Sequence, residues 1–215
     1  MQNTDPVIII FIGPPASGKG TAAQFFKNMG FDVVSIGEML RDAVAQGTEN
    51  GKKAAPLMHA GHLVPENIVT DMLRDRMSST AATGYLFDGS PRTAEQAKNM
   101  DDLFREKGIA AENIYVLRLD VDDDNLRARV KKRHDTAVAS GVKPRTDDDP
   151  AVFEVRLAGY KKDIIDISAH YGPRLRIIDG NISAQETVRQ VQALIGTPLP
   201  PANKKPQTPV QTPTP

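Results

Sequence analysis

Residues 13–21 read Gly-Pro-Pro-Ala-Ser-Gly-Lys-Gly-Thr and follow directly on the apolar run Val7-Ile8-Ile9-Ile10-Phe11-Ile12. A glycine-rich turn between a buried strand and a helix aims several backbone N–H groups, and the positive end of the helix dipole, at one point. Lys19 adds an ammonium there, so the ligand this segment suits is a polyphosphate. Gly20 stands where the usual form of such a loop has Ser or Thr. The hydroxyl comes one residue later, at Thr21, and is expected to act on a phosphate-bound cation only indirectly.

A second signal is Tyr85-Leu86-Phe87-Asp88-Gly89, an apolar strand ending in a carboxylate, the arrangement that holds the waters of Mg²⁺ beside a phosphate loop. Arginines form a third. Arg129 and Arg133 stand four apart and share a helix face, Arg145 follows a flexible-looking stretch, and Arg156 comes eleven residues later. Each guanidinium is a fixed-charge, bidentate phosphate donor that stabilises a transferring phosphoryl group without a proton relay. Arg41 and Arg92 lie on the far side of the loop, and two phosphate-binding groups suggest two nucleotides. The bland alternative for any one arginine is a solvated basic face, since Arg127, Lys131 and Lys132 are interleaved with them.

The elements that must position these groups are legible in outline. Short apolar strands are expected at 7–12, 31–35, 84–88, 113–119 and 175–179, separated by stretches of helical period, which implies a parallel sheet covered on both faces. Segments 37–46, 52–60 and 65–78 read as three helices between the second and third strands, enough for a small binding lobe. Residues 134–144 lack apolar periodicity and contain Gly141 and Pro144, which reads as a flap. Asp149 and Pro150 form a clean helix start, and the trio Asp147-Asp148-Asp149 is expected to cap that helix or pair with the arginines.

The chain has 215 residues, 27 basic and 27 acidic, so no global field draws it to nucleic acid or an anionic membrane. It has no Cys, and its four His lack metal-ligand spacing, so neither disulfides nor structural zinc is expected. Its longest apolar run, 7–12, is far short of a membrane span, and residues 1–5 lack a basic leader, which makes a cytoplasmic protein the expectation. Residues 197–215, rich in Pro and Thr, read as a disordered tail after a domain spanning 1–196.

Five ordered segments resemble the adenylate kinase family of nucleoside monophosphate kinases: Gly13–Thr21, Ser35–Arg41, Gly61–Val64, Asp88–Thr93 with Gln96, and Arg145–Asp148 with Arg156. The resemblance implies an α/β fold of the P-loop NTPase type: three αβα layers about a parallel five-stranded sheet, with a monophosphate-binding lobe at 35–64 and a lid at 132–146. It implies that Ala16, Ser17, Gly18, Lys19, Gly20 and Thr21 hold the phosphates of ATP, with Arg129 and Ile182 beside the donor base and Arg133 on the phosphates. Arg41 and Arg92 would hold the phosphate of AMP, and Arg145 and Arg156 would bridge the transferring group. The AMP site would also include Ile36, His62, Leu63, Val64, Gly89, Ser90, Pro91 and Gln96, with the loop around Leu63 and Val64 and Gln96 reading the acceptor base. Lys19, Asp88, Arg92, Arg133, Arg145 and Arg156 are the expected catalytic set, with Mg²⁺ reached from Asp88 through water and no zinc in the lid. A monomer is expected.

The sequence also departs from the family. Ala16 replaces a usual Gly, Ile36 a usual Thr and Ser90 a usual Phe, and relatives that phosphorylate UMP or CMP resemble this sequence at Ser35 and Gly37-Glu38, although they usually carry Asn where it has Thr93. A UMP/CMP kinase is therefore the alternative to an enzyme for AMP. A non-enzymatic nucleotide switch is a third reading, in which Arg41, Arg92 and Gln96 would have no task.

Overall fold

The computed structural model describes residues 6–79, 82 and 84–195; the proline-rich segment 197–215 lies outside them. Five parallel strands, β1 (Val7–Ile12), β2 (Asp32–Ser35), β3 (Gly84–Asp88), β4 (Ile114–Asp120) and β5 (Leu175–Asp179), form one sheet in the order β2-β3-β1-β4-β5. β1 lies at its centre, which explains its unbroken apolar run: in a parallel sheet covered on both faces, every side chain of a central strand is buried. Ile8, Ile10 and Ile12 enter one core layer, and Ile9 and Phe11 the other.

Helices α1 (Lys19–Asn28) and α8 (Ala184–Ile195) cover the second layer with Ala22, Ala23, Phe26, Val188, Val191 and Ile195. The first is covered by α2 (Ile36–Ala45), α4 (Glu66–Ser79), α5 (Ala94–Glu106) and α7 (Pro150–Tyr171). The helix after β1 thus lies on the opposite face from the helices that follow β3 and β4. Their loops diverge and leave a crevice at the carboxyl end of β1, where ligands of such sheets bind. α3 (Glu49–His59) completes the inserted lobe; Thr48 caps it by accepting from Gly51 N at 3.1 Å, and a Cβ at Gly51 would come within 2.0 Å of the Ala43 carbonyl oxygen of α2.

One expectation needs correcting. α6 spans Asp123–Ala139, so residues 134–139, read as part of a flap, continue a helix, and the open stretch is confined to 140–145 before a 3-10 turn at Thr146–Asp148. An exposed helix shows no apolar stripe. Its support here comes from good helix formers and from the Lys131–Asp135 pair at 2.6 Å. As expected, Asp149 caps α7, its Oδ1 accepting from Ala151 N and Val152 N at 2.9 and 3.2 Å.

Far from the crevice, Asp101 of α5 joins the end of α7. Its carboxylate lies 2.9 Å from His170 Nε2 and accepts from Arg174 Nη2 at 2.7 Å, while Arg174 stacks on the Tyr171 ring with its central carbon 5.1 Å from the centroid. The Tyr171 hydroxyl is buried without a hydrogen-bond partner among the described residues, and burial pushes its pKa up. Removing an unpaired buried hydroxyl relieves a desolvation cost. Tyr171→Phe is expected to raise unfolding free energy by about 0.5–1 kcal/mol in urea titration, whereas Asp101→Ala lowers it by about 1–3 kcal/mol.

Candidate active site

The turn from β1 into α1 is made by two left-handed residues, Ala16 at φ 63° and Gly18 at φ 99°. For Ala such an angle costs on the order of 1–2 kcal/mol, offset here by packing against the small core of Leu126, Val130, Phe153 and Leu157. That core joins α6 and α7, so the same contact seats the loop beneath the two arginine-bearing helices.

Lys19, the first residue of α1, is folded back over the loop. Its ammonium donates to the carbonyls of Gly13 and Pro14, both at 2.8 Å, and to Ser17 Oγ at 3.1 Å. Burial pushes its pKa down to about 8; Asp88 opposes the shift, and Arg92, Arg156 and Arg133 add to it. That set of neighbours places groups from β3, the loop after it, α6 and α7 around one ammonium. Asp88 ends β3, and a Cβ at Gly20 would lie 3.3 Å from its Oδ2. The missing side chain lets the start of α1 approach the carboxylate closely, and Thr21 is exposed to solvent.

Arg129 is anchored to backbone, donating to Ser17 O at 3.0 Å and Gly180 O at 2.8 Å. It links the β1 loop to the loop after β5, where half-buried Ile182 sits. The next two arginines are held by carboxylates. Arg133 forms a forked pair with Asp148, a residue only 2% exposed, and Arg156 pairs with Asp147. Burial would raise the Asp147 pKa, but Arg156, Arg41, Arg133 and Arg145 together hold it below its ordinary value. Arg145 is exposed at the start of the 3-10 turn.

Across the crevice, Arg41 of α2 has its pKa lowered by burial and then by Arg145. Arg92 donates through Nε to Gly89 O at 2.7 Å, and burial followed by Arg156 pushes it down to about 10. Both remain charged at neutral pH, so like charges face one another with few carboxylates between them. An anion placed among them lowers the energy of every member.

The residues expected in the AMP site divide. Leu63 and His62 are exposed on the loop after α3, which rests on α7: a Cβ at Gly61 would come within 3.1 Å of Val152 O and 3.2 Å of Arg156 Cγ. Ile36, Val64, Ser90 and Pro91 are packed inside instead, and the Ser90 hydroxyl lies 3.3 Å from Met100 Sδ. Gln96 is 3% exposed and its Oε1 accepts from Arg92 N at 2.7 Å, which leaves its amide nitrogen as the group open to a ligand. Two partners had no local sequence signal: the Gly180 carbonyl that holds Arg129, and Glu66, which binds Thr93 at a separation of 27 residues.

A loop that cradles phosphate at a helix start, faced by arginines on both sides of one crevice, defines a P-loop phosphotransferase. Comparison with known proteins agrees. The adenylate kinase family model matches residues 11–174. The adenylate kinases of Rhizobium meliloti and Mesorhizobium japonicum are each 38% identical over 191 residues, 87% of this chain and 98% and 96% of theirs. That of Methylorubrum populi is 39% identical over 191 residues, covering 94% of its length. The chain belongs to the adenylate kinase family.

With its pKa pushed down to about 8, Lys19 is expected to make ATP binding pH-dependent, because only the ammonium pairs with phosphate. As pH rises above 8, the competent fraction of free protein falls and the apparent Kd for ATP is expected to rise toward about tenfold per pH unit. Calorimetric titration from pH 7 to 10 checks this, with a Lys19→Met variant expected to bind weakly and without that slope.

Proposed function

We infer that this chain works as a cytoplasmic, monomeric adenylate kinase, moving the terminal phosphoryl group of ATP to AMP in a reversible, Mg²⁺-dependent reaction that yields two ADP. The observation that carries this reading is the convergence of Arg92 from the loop after β3, Arg133 from α6 and Arg156 from α7 on the Lys19 ammonium at the start of α1. None of the described helices is long and apolar enough to cross a membrane.

Lys19 and the amides of 16–21 bind the donor phosphates, with Arg129 and Ile182 beside the donor base. Arg41 and Arg92 bind the acceptor phosphate, and Arg133, Arg145 and Arg156 surround the group in transit. Asp88 ends β3 with its carboxylate beside the start of α1, and it would hold Mg²⁺ through water. Mg²⁺ bound there with ATP would neutralise charge on the phosphate oxygens.

No strong base is required, because phosphoryl transfer depends on alignment and on charge stabilisation. Arg133 and Arg156 are set in place by Asp148 and Asp147 before substrate arrives, which reduces reorganisation during the reaction. The lobe at 35–64 and the lid at 132–146 would close over both nucleotides and exclude water, so that transfer outruns hydrolysis. Gln96 offers its amide N–H to a ring nitrogen acceptor, which adenine N1 supplies and a protonated uracil or guanine ring nitrogen does not.

Transfer from ATP to AMP, UMP, CMP, GMP and dTMP, measured in parallel with Mg²⁺, tests the reading. AMP is expected to be the best acceptor, and Lys19→Ala is expected to lower kcat/KM by about a thousandfold. Preference for UMP or CMP would overturn the acceptor assignment, and absence of transfer to every acceptor would overturn the enzyme reading.

A further inference from the structure

Glu66 is the first residue of α4, directly after the loop Leu63-Val64-Pro65 that closes the inserted lobe. Its Oε1 accepts from the Thr93 hydroxyl at 2.8 Å. Thr93 is the N-cap of α5, and its Oγ1 also accepts from Gln96 N at 3.1 Å. Gln96 Oε1 in turn accepts from Arg92 N at 2.7 Å, and Arg92 Nε donates to Gly89 O at 2.7 Å. Four hydrogen bonds thus run in series from the exit of the inserted lobe to the guanidinium at the centre of the crevice.

We propose that Glu66 is a positioning residue for the acceptor nucleotide, acting through Thr93 to fix Arg92 and Gln96. The proposal rests on the reading of Arg92 and Gln96 as acceptor ligands.

Three features support it. A hydroxyl has one proton, and Thr93 spends it on Glu66; the lone pairs that remain cap α5, so the two ends of the series are oriented by one group. Glu66 Oε2 is buried with no partner among the described residues, so the carboxylate is held at this junction by the Thr93 bond alone. A bond to a carboxylate is stronger than one between neutral groups, and Glu66 also sits in the first turn of α4, where the helix dipole favours negative charge. The donor loop has no member in the series, so loss of Glu66 should act on one substrate and spare the other.

Thr93 is also the position where this sequence departs from pyrimidine-specific relatives, which carry Asn there. In this chain the side chain at 93 faces protein partners on both sides, α4 and α5, which fits a role in placing Gln96 rather than in touching a base.

The test is steady-state kinetics on wild type, Glu66→Ala, Thr93→Val, the double variant and Thr93→Ser, with KM for AMP and for ATP measured separately and a thermal melt for each. Glu66→Ala and Thr93→Val are each expected to raise KM for AMP about tenfold, while KM for ATP changes less than about twofold. The double variant should be no worse than the poorer single one, and Thr93→Ser, which keeps the hydroxyl, should return KM for AMP to within about threefold of wild type. Additive effects in the double variant, equal rises in both KM values, or an unchanged KM for AMP would overturn the proposal. Arg92→Ala is measured alongside: if it leaves KM for AMP unchanged, the acceptor reading itself fails. If it acts while Glu66→Ala does not, only the link through Thr93 fails.

Discussion

The mutual repulsion of cations around one crevice is the constraint from which the other features of this molecule follow. Lys19 is pushed to lower pKa by burial and by Arg92, Arg156 and Arg133, Arg92 by burial and by Arg156, and Arg41 by burial and by Arg145. Such a cluster is unfavourable unless each charge is held by something else. The structure supplies backbone carbonyls for Lys19, Arg92 and Arg129, and carboxylates for Arg133 and Arg156. A polyphosphate spanning the crevice replaces those partial answers with full charges of opposite sign. The energy stored in crowding the cations is thereby released on binding.

The fold serves that arrangement by placing the helices after β1 and after its two neighbours on opposite faces of the sheet. The crevice opens where their loops part, and the small core beneath Ala16 locks the phosphate loop to α6 and α7. Asp148 is the clearest instance of a group whose burial makes sense only through its partner. At 2% exposure it would be costly alone, and its forked pair with Arg133 fixes both the 3-10 turn and the arginine's direction.

Much of this was legible in the residue order. The run at 7–12 announced a strand buried on both faces, the glycine-rich turn announced a phosphate loop, and Asp149-Pro150 announced the start of α7. The end of α6 was not legible, because an exposed helix held by ion pairs and propensity has no apolar period to read. Residue order marked Ala16 only as standing in for a usual Gly; its left-handed angle is accommodated by packing that brings together residues more than a hundred positions apart. Ile36 and Ser90 were assigned to the AMP site from resemblance, and both side chains lie in the interior. What a side chain faces depends on the tilt of its helix or loop, and linear order does not encode tilt directly. The Glu66–Thr93 contact is the extreme case, since two common polar residues far apart in sequence carry no signal until the fold joins them.

The central claim is that one crevice is built for two nucleotides at once, with the cations between them shared. Calorimetric titration with two adenosines joined through five phosphates tests it most directly. The account predicts one ligand per chain, bound at least about a hundredfold more tightly than ATP or AMP alone, because the second half binds without a new loss of translational freedom. Affinity no better than that of ATP, or two molecules of the compound per chain, would contradict it.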